Sequence, residues 1–315
     1  MSWLGTQFEL RRTGAAAKLP PMEGLRGFAV LLVFMVHYAT AVRPWLAPDT
    51  PVAAAAAALH TIGNSGVDLF FVLSGYLIYG SLIGRAQAFG PFMLRRLRRI
   101  YPAFGAVFLL YLALSFALPG ENKIPANAGD GARYLAENFL LLNGFSHAAP
   151  MIAVAWSLSY EMLYYLMLPW LIAVFGLRRR GAIFRVAFFL AMTGIAAAAF
   201  AVYGGPVRLL TFGAGILLYE ALGAGRLRAP GGALTVATLL AGLASSLLPG
   251  LPVLKTMALS CAFFLLCLSC FSQPGSRLAR VFSWPLLRRL GNMSFSFYLM
   301  GTSKNRSEQA RYRVE

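Results

Sequence analysis

Long apolar runs restrict the possible fold of this chain more than any other feature of the sequence. Eight of them approach the roughly 20 residues with which a helix crosses a bilayer. They lie at 25–42, 62–83, 100–118, 152–175, 186–203, 207–223, 232–248 and 253–271. A ninth run begins near Leu290 and stops at Met300. The sequence therefore predicts an all-α, polytopic transmembrane bundle of about eight full spans plus an incomplete ninth.

Composition excludes the soluble classes that the strong positive charge would otherwise suggest. The chain has 58% hydrophobic and 12% charged residues with a net charge of +17, whereas globular domains carry about 25% charged residues. A soluble nucleic-acid-binding protein could not bury so many apolar side chains, so we expect a lipid bilayer and no nucleic acid as partner. The three cysteines lie in one apolar run and form no disulfide framework.

The basic residues predict the orientation in the membrane. Eighteen of them fall in one set of connections between the spans, and three fall in the alternate set. Basic residues collect on the cytoplasmic side of membrane proteins, and residues 1–21 contain no apolar core of a cleavable signal peptide. We therefore expect a cytoplasmic N-terminus.

Ionisable residues inside spans are costly and indicate function. Arg26 and His37 are eleven positions apart in the first span, so they project from one helical face, about 16 Å apart along the axis. Asp68 is predicted a few residues into one inward-running helix, and Glu161 about nine residues into another. Both are therefore expected at a membrane depth comparable to that of His37. A histidine with two possible carboxylate partners predicts an acid–base site; the alternative is a structural hydrogen-bond cluster.

Other polar features allow more than one interpretation. Arg26 could form a simple interfacial ion pair with Glu23. The run containing Arg95, Arg96, Arg98 and Arg99 could anchor the chain to anionic lipid or hold a phosphate-bearing ligand. His60 and His147 are predicted at or beyond the outer surface, without a role. The Cys267/Cys270 pair lacks a second ligand cluster, so we expect no metal site. The glycines of the second span, from Gly66 to Gly84, indicate close helix packing.

Five motifs, in order, resemble the acyltransferase 3 family of integral-membrane acyltransferases. The first runs from Met22 through Ala29 to His37 and contains an R-x10-H pattern, and the second runs from Gly66 to Ile78. The third is the arginine run before Ile100-Tyr101-Pro102-Ala103. The fourth runs from Trp156 to Tyr165, and the fifth runs from Leu290 to Leu299. The resemblance covers residues 22–300 and implies one transmembrane domain over 1–300.

The family resemblance implies a function and a set of roles. It implies transfer of an acyl group, acetyl above all, from the co-substrate acyl-CoA to a hydroxyl of a sugar or other small acceptor, with no bound cofactor. It also implies polysaccharide modification at the inner membrane of a bacterium. His37 would be the general base, oriented by Asp68 or Glu161, and Arg26 would bind the donor. Arg95, Arg96, Arg98 and Arg99 would add phosphate contacts.

The C-terminal end departs from the family pattern. The chain leaves it at Gly301 and continues as a polar tail over 301–315, where the resemblance implies further helix. We therefore expect a truncated or frameshifted product, and loss of the final helix could make it inactive. The alternative function is a transporter or flippase of acyl groups or glycans, which would use the same buried charges as a relay.

Overall fold

The computed structural model of the protein describes residues 20–118, 122–146, 149–225 and 227–293. Within these ranges the regular structure is helical, without a β-strand. The helices are α1 (Pro20–Val42), α2 (Pro51–Ile83), α3 (Phe89–Ala117), α4 (Ala128–Phe139), α5 (Ala155–Val174), α6 (Ala182–Tyr203), α7 (Leu210–Ala224), α8 (Gly232–Ser245), α9 (Pro252–Ser272), α10 (Arg277–Phe282) and α11 (Pro285–Asn292). A 3-10 turn at Val207–Leu209 leads into α7.

The predicted fold class is confirmed. In the described ranges, seven helical segments are long and apolar enough to cross a membrane: α1, α2, α3, α5, α6, α7 with its 3-10 turn, and α9. The segment predicted as a span at 232–248 forms α8, a helix of 14 residues, which is shorter than the usual span. The predicted ninth run starts inside α11. Its residues from 294 onward, with the tail 301–315, lie outside the described residues, as does His147.

Two helices begin several turns earlier than predicted. α2 starts at Pro51 rather than residue 62, because Thr50 accepts a hydrogen bond from the Ala53 amide and a run of alanines continues the helix. α3 starts at Phe89 rather than residue 100, so the arginine run lies inside its first turns. Hydropathy detects only the apolar segment of a helix, whereas the helical backbone continues into the more polar sequence that precedes this segment.

The chain divides into two compact units. Among the described residues, the first unit contains those of 20–84 and 176–293, with α1, α2 and α6 to α11, and the second contains those of 85–175. The core of the first unit joins α1, α2 and α9 through buried side chains such as Leu25, Leu69 and Phe263. The prediction of one domain over 1–300 stays a prediction.

Glycines allow the helices of the first unit to approach closely, as predicted for packing. A methyl group on Gly66 of α2 would lie 2.5 Å from the carbonyl oxygen of Ala29 in α1, and one on Gly75 would lie 2.4 Å from that of Phe212 in α7. α2 is thus held between α1 and α7 at backbone distance.

The N-terminal half of α1 also packs against α10 and α11. A Cβ on Gly24 would meet the carbonyl oxygen of Phe282 at 1.5 Å, and one on Gly27 would meet that of Leu287 at 1.8 Å. Glu23 accepts a hydrogen bond from Arg288 Nε at 3.0 Å. Glu23 therefore forms an ion pair with Arg288, a residue distant in sequence that lies on α11, and the alternative pairing of Arg26 with Glu23 stays a prediction.

Candidate active site

One face of α1 carries Arg26 and His37 with Val30 and Val33 between them. The two valines are buried, and the two polar residues are partly buried. The spacing of four, three and four residues keeps all of them on one side of the helix. His37 Nε2 is buried and has no hydrogen-bond partner among the described residues. This nitrogen is therefore available to a group that is not part of the described chain.

The packing of α1 on α2 determines the position of each polar residue along the helix axis, which is called its level below. Gly63 faces Leu32 and Val36, and Gly66 faces Ala29 and Leu32. Because the helices are antiparallel, this register puts His60 at the level of His37 and Asp68 at the level of Ala29. At 1.5 Å per residue, Asp68 lies about 12 Å from the His37 level along the axis.

The expectation that Asp68 and His37 share one depth is therefore wrong. It assumed that α2 begins near residue 62, whereas Asp68 lies far inside a helix that begins at Pro51. Asp68 is buried instead beside Arg208, whose Nε lies 4.0 Å from Asp68 Oδ1. Arg208 also donates to the Asn64 carbonyl at 3.5 Å. The role of Asp68 at the reacting centre stays a prediction.

His60 is the residue that sequence reasoning set aside. It lies close enough to His37 to act on it electrostatically. The sequence could have indicated this position only if α2 had been known to begin at Pro51, because His60 then lies within the helix that packs antiparallel to α1.

Glu161 lies in the second unit, on α5. Its carboxylate accepts a hydrogen bond from the Tyr165 hydroxyl one turn later. The Arg96 guanidinium of α3 stands 5.3 Å from the ring centre of Tyr165 and 5.3 Å from that of Phe92. The second unit thus brings Arg96 and Glu161 into one cluster. The pairing of Glu161 with His37 stays a prediction.

The other arginines of the run are more exposed than Arg96. Arg95, Arg98 and Arg99 lie on the surface of α3, and Arg95 donates to Gln87. Arg96 differs because its side chain is half-buried over aromatic rings. Their predicted role as phosphate contacts stays a prediction.

The connection around α4 is anchored by amide side chains. Asn138 accepts from the Met151 amide at 2.7 Å and donates to the Tyr134 carbonyl at 3.0 Å. Burial raises the pKa of the Tyr134 phenol to about 12. On the exposed face, the hydrogen bond from Arg133 holds the pKa of Glu137 below its usual value. This connection joins the motif at Trp156 through Ser159, which donates to Asn143 Oδ1 at 2.9 Å.

A family model for an acyltransferase domain, Acyl_transf_3, matches residues 21–300, which include both units and all five motifs. The chain belongs to the acyltransferase 3 family. It is accordingly an acyltransferase.

Named relatives agree with this assignment. The chain is 29% identical to acyltransferase MdmB of Streptomyces mycarofaciens over 311 residues, which cover 90% of this chain and 78% of that protein. It is 32% identical to O-acetyltransferase OatA of Staphylococcus aureus over 176 residues, covering 51% of this chain and 26% of OatA. No solved structure matches the chain.

The acyltransferase also contains a buried ionic cluster that sequence reasoning missed. Arg185 of α6 donates from Nε and Nη2 to the two carboxylate oxygens of Glu220 in α7, at 2.6 and 2.8 Å. Tyr79 of α2 donates to the same carboxylate. Glu220 lies inside the span predicted at 207–223, whereas Arg185 lies just before the span predicted at 186–203. In the described part of the chain, no three His, Cys, Asp or Glu side chains form a metal-binding group.

Proposed function

We propose that this membrane acyltransferase moves an acyl group, acetyl above all, from acyl-CoA to a hydroxyl of a sugar or other small acceptor. The observation that carries the proposal is the buried, unpartnered His37 Nε2 on the same face of α1 as Arg26. A buried polar atom without a partner is unfavourable, and a substrate hydroxyl would satisfy it. The printed names of MdmB and OatA, an acyltransferase and an O-acetyltransferase, support O-acyl transfer.

In the proposed reaction, His37 is the general base. Its Nε2 accepts the proton of the acceptor hydroxyl while the hydroxyl oxygen bonds to the thioester carbonyl carbon. The carbon–sulfur bond breaks, and the leaving thiolate takes the proton from the imidazolium. An acyl-histidine intermediate would use the same nitrogen as the nucleophile. Glu161 is the proposed orienting carboxylate.

The donor is proposed to approach from the side that carries most of the arginines. Arg26 would bind near the thioester, and Arg95, Arg96, Arg98 and Arg99 would contact phosphates, because guanidinium groups pair well with phosphate oxygens. Asp68, beside Arg208, is proposed to position α2 against α7. We infer the inner (plasma) membrane of a bacterium as the location; the two named relatives come from bacteria.

The test is acyl transfer by purified wild-type protein and by His37→Ala, using labelled acetyl-CoA and candidate glycans. A positioned base contributes about 10²–10⁴-fold, so we expect the rate for His37→Ala to fall by that factor. Tyr38→Phe is the matched control, since Tyr38 neighbours His37 but is 55% exposed. Near-normal turnover by His37→Ala, with protein levels equal to those of the control, would disprove the proposed base.

A further inference from the structure

An open cavity lies where α10 turns into α11. Its volume is about 480 Å³, and it is lined by Arg277, Arg280, Val281 and Trp284. Arg277, Arg280 and Val281 share one face of α10, and Trp284 is the extended residue that connects α10 to α11. Trp284 is 57% exposed and Val281 is 58% exposed. The cavity thus combines two guanidinium groups with an accessible aromatic ring.

The charges in the cavity are unbalanced. None of the lining residues is acidic, and neither Arg277 nor Arg280 has a side-chain partner among the described residues. Arg288, one helix further on, is by contrast paired with Glu23. Two unpaired guanidinium groups three residues apart suit an anion with several oxygens, such as a phosphate.

The cavity is built directly against the segment of α1 that carries Arg26. Phe282, between the lining residues Val281 and Trp284, packs its backbone on Gly24. Its ring lies 5.6 Å from that of Phe28. Gly24 and Phe28 stand on either side of Arg26 in the sequence. The cavity therefore belongs to the same unit as Arg26 and His37 and lies beside the cytoplasm-facing end predicted for α1.

We propose that this cavity binds the nucleotide end of the acyl donor. Arg277 and Arg280 would hold the 3′-phosphate of coenzyme A, and Trp284 would stack on its adenine, because bases stack on aromatic side chains and arginine binds phosphate. The flexible pantetheine arm would then lead along α1 past Arg26 toward His37. This inference rests on the proposed use of acyl-CoA as donor.

An anionic lipid headgroup has the same phosphate chemistry, and an exposed tryptophan is common at membrane interfaces. We favour coenzyme A because its planar adenine can stack on Trp284 while its phosphate binds the two arginines, so that all three side chains are used. A lipid headgroup uses the arginines alone.

The experiment measures binding of coenzyme A, of dephospho-coenzyme A, which lacks the 3′-phosphate, and of pantetheine. Titration calorimetry is performed on the full chain in phosphatidylcholine nanodiscs. Wild-type protein should prefer coenzyme A. The Arg277→Ala/Arg280→Ala double variant should bind it at least about tenfold more weakly and lose the preference over dephospho-coenzyme A. Trp284→Ala should weaken binding, and Trp284→Phe should restore most of it.

The matched control is Arg228→Ala/Arg289→Ala, which removes the same charge from exposed positions outside the cavity. Unchanged coenzyme A affinity in the cavity double variant would overturn the proposal, as would an equal loss in the control. In a parallel measurement, wild-type and variant proteins are purified from membranes that contain phosphatidylglycerol, and the lipid that each retains is quantified. A variant that loses the retained phosphatidylglycerol but keeps its coenzyme A affinity would assign the cavity to lipid instead. Binding does not require turnover, so wild-type protein that binds coenzyme A but transfers no acetyl group would refute the proposed function alone.

Discussion

At the scale of single residues, the buried carboxylate of Glu220 is satisfied by Arg185 and Tyr79. Glu220 is 3% exposed, so its charge depends on these partners rather than on water. Removing one member of such a pair leaves the other charge buried and uncompensated. The cluster joins α2, α6 and α7, and we expect it to stabilise the first unit only as a complete set.

We predict that Glu220→Ala lowers the free energy of unfolding by about 3–5 kcal/mol. Arg133→Ala, which removes the 79% exposed partner of Glu137, should change it little, because ion pairs with a solvent-exposed member contribute little to stability. Unfolding in a detergent series, followed by circular dichroism, measures both. Equal stability of the two variants would contradict a stabilising role for the buried cluster.

The candidate site could be predicted only in part from residue spacing. Arg26 and His37 share one helix, so their spacing alone predicts a common face. The levels of His60 and Asp68 depend on where another helix begins and on its register, which side-chain polarity does not encode. The sequence predicts a span that starts at residue 186, which leaves Arg185 outside it, whereas α6 starts at Ala182 and includes Arg185.

At the scale of elements, apolar runs predicted which segments are helices but missed several of their ends. α2 and α3 extend past their apolar parts, where alanines and arginines continue the helix. The contact of α1 with α11 is likewise hidden in the sequence, because it depends on glycines that bring together two backbones far apart along the chain. Gly27 is an example, since any Cβ there would overlap the carbonyl of Leu287.

We predict that Gly27→Ala separates α11 from α1 and destabilises the protein by about 1–3 kcal/mol, the usual cost of overpacking. Trypsin should then cleave faster at the arginines of α10 and α11. Gly105→Ala in α3 is the control, because nothing lies within 4 Å of its added methyl group. Identical digestion of both variants would show that α11 does not need this close contact.

At the scale of the whole molecule, the asymmetry of basic residues predicts the orientation of every span. The turn between α1 and α2 should face the outside, and the turn between α2 and α3 should face the cytoplasm. Ala47 and Ala88 lie in these two turns, and both are exposed.

We therefore predict that a membrane-impermeant thiol reagent labels Ala47→Cys, but not Ala88→Cys, in intact cells. Cys261→Ser is the background, because Cys261 is exposed while Cys267 and Cys270 are buried. Permeabilised cells should give labelling at both positions. The reverse pattern in intact cells would invert the predicted topology.

The links from α2 to α7 have a consequence for how the protein is made. Tyr79 and Glu220 are 141 positions apart, and Asn64 and Arg208 are 144 positions apart. α2 therefore leaves the ribosome and enters the membrane long before its polar partners have been synthesised. Until α7 follows, Asp68 must be shielded from lipid by the insertion machinery or by water. The first unit can close only late in translation, so nascent chains that stall before α7 should be substrates for membrane proteases.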